Sequence, residues 1–579
     1  MLVSLILMAA IAAGGFGLTY LIEDDEPFLW RASSGAVIGS AVFGTVSFVL
    51  AMLAGFNAGT VAAAVVVTLL PLAIVVRGPR RKTFRLDWAR AKGKLQGAST
   101  VKAARFLYYA GFLLLFLLFF SQTMYETAQG IFTGGSNNLG DLPFHLGAIL
   151  SFTDGANFPP INPSFAGAKF SYPFISDLIT ACFMELGAGL REAMFVQNAA
   201  WAFALLVILE RFVLKLTGDR FAAKLAPPLL FFSGGLGFIW FLGDFSTQAK
   251  GFFEFLWNIP KDYTIGDEFR WGNSLITLFM TQRSLLLGMP LTLIVLGGLW
   301  KVFNAKTQSR EDAKAEGVIS RASVSIFVIG LFAGLLPLVH LHSLAVLFVI
   351  TGFLFFFRLD RWKDWVTFGL GVCVVAIPQL LWSISGSATE TTKFFDWHFG
   401  WDSRDTNVLW FWIKNTGLFF PLLAFGIYLI CFPQRRKDAK VEGRKDAGAE
   451  IRPLRLLLFY IPFAVLFIIS NIAKLAPWEW DNIKVLIYWF VGSLPFVAAA
   501  VAWLWRRGGA FRIVAAACFA VLIFSGALDV WRTISGQNKI GVFDADAVKI
   551  ANKIRGSVPA NAMFLNAPTY NSAIALTGR

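Results

Sequence analysis

Long apolar runs recur from one end of this sequence to the other, and they constrain its fold more than any other feature. Runs at 2–22, 33–55, 58–76 and 106–120 open the series, and more follow as far as residue 528. About 20 consecutive apolar residues cross the hydrocarbon core of a bilayer. With 56% hydrophobic and only 15% charged residues, such a chain would aggregate in water. The runs are continuous rather than alternating, which excludes a membrane β-barrel. The expected fold is an all-α polytopic membrane protein with about 14 transmembrane helices.

The net charge of +15 raises the question of nucleic acid. Its placement answers no: Lys and Arg sit in short loops between spans, as the positive-inside bias requires. The basic loops are 77–105, 304–321, 358–365, 434–455 and 505–509. Placed in the cytoplasm, they put 125–172, 243–283, the His-Leu-His-Ser turn, 387–407, 473–483 and the tail outside. The first run lacks a basic start and is followed by acids, so it reads as a span and not a cleaved signal. Three runs crowd into 173–242, where an even number of crossings is needed. Pro227-Pro228 and Gly234-Gly235 interrupt the last of them, so a broken or re-entrant helix is expected there. The four cysteines all lie in apolar runs and read as small core residues.

Three regions follow from this. Residues 1–104 form a three-helix membrane leader ending in the most basic loop. Residues 105–528 form the main transmembrane domain with outer loops. Residues 529–579 form an outer tail, in which DADAVKIANKIRG is an amphipathic helix with Ala547, Ile550, Ala551 and Ile554 on one side. SVPANAMFLNA reads as a turn and a strand, and AIALTGR as a second strand-like run. The tail thus reads as a small αβ subdomain cut short.

The first outer loop carries the chemistry. Within 125–173 stands Gly-Asp-Leu-Pro-Phe-His. Asp141 and His145 are four residues apart, so on a helix they share a face, their Cβ atoms roughly 5–6 Å apart. Asp141 can cap a helix starting at Leu142 or Pro143. Partial desolvation would also raise its pKa and make it a better proton acceptor. His145 can orient an acceptor, bind phosphate or ligate a metal, although two ligands do not make a metal site. Turn residues such as Gly134-Gly135-Ser136-Asn137-Asn138 and Asn157-Phe158-Pro159-Pro160 give the loop a fixed shape, and long shaped loops tend to carry function.

Other loops add cations and rings. Arg283 lies at an outer membrane edge against the positive-inside trend, and its planar fork needs an anion, either an acidic side chain or a phosphate. His340 and His342 flank another outer mouth; at i, i+2 both can point one way only in a turn. Pro477-Trp478-Glu479-Trp480-Asp481-Asn482-Ile483-Lys484 combines aromatic faces, acids and a cation. Rings stack on the C–H faces of sugars, and hydroxyls need acceptors and donors.

This layout resembles the GT-C superfamily of multi-span glycosyltransferases, which take a sugar from a polyprenyl-phosphate donor. Protein O-mannosyltransferases and lipid A aminoarabinose transferases are two of its branches. The corresponding parts are the basic segment 77–105, the span 106–124, Asp141 in GDLPFH, and Tyr172-Pro173 opening the next helix. The chain departs from several branches in having one Asp where they have a pair, Tyr-Pro-Phe in place of a Pro-Pro form, and three extra spans at the start.

The resemblance implies a glycosyltransferase, inverting in course, working on the outer face of a bacterial inner membrane. Asp141 and His145 would be catalytic. Arg283, His342 and Lys484 would hold the donor phosphate, and Asn138, Tyr172, Trp480 and Asp481 the sugar or acceptor. The implied partners are a polyprenyl-phosphate sugar and the bilayer. No cofactor is required outright, and a divalent metal, Mg or Mn, stays open, as do donor sugar, acceptor and oligomeric state. The alternative from another class is a transporter or flippase of lipid-linked saccharide. It would rely on ionisable groups within spans, which are costly there; Asp177, Glu185 and Lys414 are its candidates.

Overall fold

The computed structural model describes residues 1–22, 25–95, 99–305, 321–385, 395–431, 453–567 and 569–579. Most of the basic loops 304–321 and 434–455, and the first part of the 387–407 loop, lie outside the described residues. Among the described residues, ten helices are long and apolar enough to cross a membrane. The count reaches eleven if Val408–Thr416 and Phe419–Cys431, which meet at 84°, form one bent span. This is an all-α polytopic membrane protein. The figure stands beside an expected 14 or so because several apolar runs are divided into shorter helices: Ile175–Glu185, Arg220–Phe231, Gly237–Ser246 and Leu341–Phe357.

The region 173–242 shows where such a division falls. Pro227 and Pro228 sit inside the Arg220–Phe231 helix, which runs through them. The break comes at Ser233 to Leu236 instead, where Gly234 N–H donates to the carbonyl of Leu522 (3.1 Å) and Leu236 N–H to that of Lys414 (2.9 Å). Neighbouring helices thus satisfy the backbone that the break frees, which apolar surroundings require.

The leader is packed against the rest. Leu2–Thr19 and Phe28–Ala54 touch backbone to backbone: a Cβ on Gly15 would lie 2.1 Å from the carbonyl oxygen of Gly35. Small residues at helix crossings allow this approach in lipid. Trp201 on the central helix Leu190–Thr217 donates Nε1–H to Ser40 Oγ at 3.0 Å. Buried Glu26 accepts from Arg211 on the same helix at 2.6 Å and is ion-paired with Lys215.

Helix direction gives the bundle two chemically different ends. Arg283–Asn304 runs from the first to the second. Around its C-terminus, Arg358 donates to the carbonyls of Phe303 and Ala305, and Arg455 to those of Asn304 and Ala305. Cations there meet the unpaired carbonyls and the negative end of the helix dipole.

At the other end, the first loop forms a hairpin of β1 (Tyr125–Thr127) and β2 (Gly130–Thr133). β3 (Ile540–Asp544), from the tail, pairs antiparallel with β2, Ile131 opposite Phe543. The tail is therefore woven into the first loop. Ala545–Ser557 is the expected helix, capped by Asp544, whose Oδ1 accepts from Ala547 N–H at 2.7 Å. Its packed side is Ala547, Val548 and Ala551, while Ile550 points outward, 51% exposed. The two expected tail strands are absent: 562–567 has no regular structure and Ala573–Leu576 is one helical turn. That turn packs on Asn138–Thr153, Ala575 Cβ lying 3.8 Å from where a Cβ of Gly147 would be. Apolar residues there pack on a helix and find no strand partner, which overrides their strand propensity.

Candidate functional site

The helix that presents Asp141 begins earlier than its Pro predicts. It spans Asn138–Thr153, with Asn137 at its cap position, so Asp141 lies in the first turn and caps nothing. Pro143 is tolerated close to the start, where few backbone donors have helical partners. The loop before it is anchored from behind. Asn138 is buried and donates to Thr123 O (3.0 Å) and Thr133 Oγ1 (3.1 Å). Gly134 O accepts from Asn538 at 2.7 Å. A Cβ on Gly135 would lie 2.4 Å from Met280 Sδ, so the turn packs directly on the Met280 side chain of the second loop. Asn138, expected at a sugar, is instead committed to holding the loop.

His145 and Arg283 meet in the interior. The guanidinium of Arg283, 1% exposed, donates to Asp177 Oδ1 (2.8 Å), Thr180 Oγ1 (2.8 Å), Gln197 Oε1 (2.8 Å) and Asn198 Oδ1 (3.1 Å). The anion that Arg283 needs is therefore Asp177, and the fork has no face turned to a ligand. Asp177 Oδ2 also lies 2.8 Å from His145 Nδ1, while His145 Nε2 lies 2.9 Å from the carbonyl oxygen of Thr281. A carbonyl oxygen only accepts, so Nε2 donates to Thr281, and Nδ1 sits against the Asp177 carboxyl. Burial lowers its pKa, but the charge and hydrogen bond of Asp177 outweigh this and hold it above the ordinary value. Neither residue is open to substrate. Together they fix the turn from Thr281 to Arg283.

That turn carries Gln282, a residue to which sequence reasoning gave no role. Residues 275–279 just before it form one widened helical turn, closed by Met280 N–H to Leu275 O at 2.9 Å. Such insertions recur at functional sites. Gln282 Nε2–H donates to Asp141 Oδ1 at 2.8 Å, and its Oε1 accepts from Tyr172 OH at 3.3 Å. Asp141 keeps Oδ2 outside this contact. Burial raises the Asp141 pKa above the ordinary carboxylate value; His145, Lys484 and the Gln282 hydrogen bond oppose the shift, and Asp481 adds to it. Tyr172 is raised as well, by burial and then by the Asp141 and Asp177 charges, so it remains a donor.

The third loop reaches the same place. Lys484 Nζ pairs with Asp481 at 3.0 Å, and both charges act on Asp141. They also act on His342. His340 is the extended cap residue of Leu341–Phe357, with His342 in the first turn, and the rings come 5.5 Å apart. This is the turn geometry the i, i+2 spacing needed. His340 itself is buried, its Nδ1 2.7 Å from Ser343 Oγ. The structure therefore brings together Asp141, Tyr172, Gln282, His342, Asp481 and Lys484, from four separate stretches of chain. Trp480 is set slightly apart: its ring stacks on buried Trp401 at 6.0 Å, and Arg270 lies 4.7 Å above it.

Among the described residues no three His, Cys, Asp or Glu side chains are arranged to hold a metal ion. Asp141 and Asp481 offer two carboxylates, and Asp481 is bonded to Lys484. These residues do not make a resident metal site, and no step is routed through one.

No family model matches the sequence, and no curated protein matches it. Among solved structures, the chain is similar to the archaeal oligosaccharyltransferase AglB from Archaeoglobus fulgidus, in a complex with an inhibitory peptide and a dolichol-phosphate. The TM-score is 0.34 at 13% identity, over 81% of this chain. The match spans 61% of that protein's length.

Proposed function

We propose that this protein is a GT-C-type glycosyltransferase that moves a sugar from a polyprenyl-phosphate donor to an acceptor at the membrane face bearing Asp141. The observation that carries the reading is that a partly desolvated carboxylate, Asp141, feels a cation from a distant loop, Lys484, which also acts on the imidazole of His342. Asp141 takes the proton of an acceptor hydroxyl. The acceptor oxygen bonds to the anomeric carbon as the bond from that carbon to the phosphate oxygen breaks. The phosphate leaves with the electron pair, and Lys484, helped by His342, stabilises its charge. A preplaced cation acts most strongly where charge develops in the transition state. A single base and in-line displacement give inversion.

Three roles differ from the sequence expectation. Arg283 and His145 become positioning residues: they hold Thr281 and Gln282, and Gln282 orients Asp141. Asn138 holds the loop. Tyr172, Asp481 and Trp480 remain for the sugar or acceptor. The charge bias favours a cytoplasmic basic end, and on this reading Asp141 works on the outer face, of a bacterial inner membrane as the GT-C resemblance implies. The 1–104 leader braces the 105–528 domain, and 529–579 completes its outer loop.

The test gives membranes radiolabelled polyprenyl-phosphate sugars. Loss of label transfer in Asp141→Asn, with the fold retained, supports the reading. Transfer equal to the parent protein would remove Asp141 from the mechanism.

A further inference from the structure

A surface of open rings stands beside the third loop. It begins at 395–399, where Phe395, Trp397 and Phe399 are 59%, 73% and 77% exposed. Phe395 and Trp397 share a face, as i, i+2 residues of an extended segment do, and their ring centroids are 5.4 Å apart. Asp396–Trp397 pairs antiparallel with Ala473–Lys474. Just past that second strand, Trp478 is 70% exposed. A contiguous apolar patch of this kind marks a surface that meets something.

The helix Val408–Thr416 extends the patch. It buries Phe411, Trp412 and Asn415 and leaves Leu409, Trp410 and Ile413 open. The next helix, Phe419–Cys431, follows the long apolar helix Ile483–Arg507: Phe419 stacks on Phe490 at 4.5 Å, and Phe425 meets Trp503 at 5.3 Å. The two short helices meet at 84°. Val408–Thr416 therefore lies across the spans while its neighbour runs along them. A helix set crosswise, apolar on its open side, suits the boundary between headgroups and acyl chains. Trp gathers at that depth, as do Trp397, Trp410 and Trp478 on this patch.

The patch is continuous with a lipid-facing span. Pro453–Ile472 leaves Ile468 and Ile472 open, one turn apart at its end. The carbonyl of that same Ile472 accepts from His398 N–H at 3.0 Å. Charge does not account for the surface, because both signs are interspersed on it. Asp396, Asp405 and Glu479 stand with Arg404 and Lys474; Asp402 is shared by Arg270 and Arg404, and Lys414 faces Glu268 at 3.5 Å. Apolar area is what this surface has to offer a partner.

We propose that the open faces of 395–399 and Val408–Thr416, with Trp478, seat in the acyl–headgroup boundary of the leaflet on the Asp141 side, and that this contact sets the depth of Asp481 and Lys484. The link between the two is direct. Buried Trp401 donates Nε1–H to Glu479 O at 2.9 Å, and Gly400 N–H donates to Asn471 O at 2.7 Å. The seated segment and the stretch leading to Lys484 are thus held as one piece. The inference does not depend on the reaction at Asp141.

The experiment uses the purified full chain in nanodiscs of phosphatidylcholine that carries a carbene-generating group near the headgroup end of its acyl chain. Lipid adducts and hydroxyl-radical oxidation are both read by peptide mass spectrometry. Adducts should form on peptides covering 395–399 and 408–413. Oxidation of Trp397 and Trp410, scaled to the free amino acid, should be at least fivefold below that of Met563 and Tyr570, which are exposed on the tail. The double variant Trp397→Asp/Trp410→Asp should cut the adduct yield at least fivefold; should it fail to fold, the adducts and oxidation of the parent protein decide alone. Oxidation of both Trp residues on the scale of the tail overturns the proposal, as does an unchanged adduct yield in the folded variant. Protection without lipid adducts would mark a covering protein, and adducts that need phosphatidylglycerol would mark a headgroup-specific site; either result overturns it.

Discussion

Two charged clusters lie within a few residues of each other, one around Arg283 and one around Asp141, and they use similar side chains for opposite ends. Around Arg283 every strong partner is protein: Asp177, Thr180, Gln197 and Asn198 take its guanidinium, and His145 completes the network. Around Asp141 the partners are fewer. Gln282 holds one carboxylate oxygen, while Lys484 and Asp481 pair beside it. The difference teaches that burial with full pairing marks architecture, and partial burial with a spare oxygen marks chemistry. The two are joined by the peptide from Thr281 to Arg283, so the saturated cluster aims the open one.

The comparison breaks most sharply on Asp141→Asn. Sugar transfer should fall about 10²–10⁴-fold, the usual contribution of a general base. Unfolding temperature should hold or rise. The raised Asp141 pKa means that the folded state favours the protonated form, so stability from this group is present at low pH and lost as pH rises through its folded value. Asn removes that loss at neutral pH.

Arg283→Met should act in the reverse manner. Removing one member of a buried pair costs about 3–5 kcal/mol, because Asp177 is left uncompensated. Thermal unfolding in detergent should show a lowered transition, and turnover per folded molecule should fall as Gln282 loses its hold on Asp141, with KM for the donor unchanged. A fully folded Arg283→Met protein that no longer binds donor would undo the distinction between the clusters.

Lys484→Gln should weaken donor use about 10–100-fold, in line with the roughly 1.5–3 kcal/mol of a hydrogen bond to a charged group. The effect belongs in KM for the donor and in the leaving-group step, with little change in unfolding.

Gln282→Leu should give the smallest effect and the most informative one. Its hydrogen bond lowers the Asp141 pKa. Without it, the pKa climbs further, and the acidic limb of the pH–rate profile moves to higher pH. A profile that keeps its acidic limb in place would separate Gln282 from the base.

Much of the fold was legible because its signals are local. Continuous apolar runs gave the membrane helices, and the charge bias separated the loops. Asp544 and the spacing after it gave the tail helix. Asp141, Lys484 and His342 were legible as residue types in loops at one end of the bundle. Gln282 was not, because a neutral amide at a membrane edge carries no compositional signal. Its role depends on a widened turn and on two partners about 110 and 141 positions away. The tail strands were misread for a similar reason: β3 finds its edge on β2, some 400 residues earlier, while the apolar run at 573–576 finds a helix.

The sequence by itself determined that this chain enters a bilayer many times and which loops share a side, since both follow from the cost of apolar surface in water and of charge in lipid. Only the tertiary structure decided what each charge does. Whether an arginine or histidine meets a protein partner or a ligand depends on which distant groups arrive to fill its hydrogen bonds, and no local pattern records that.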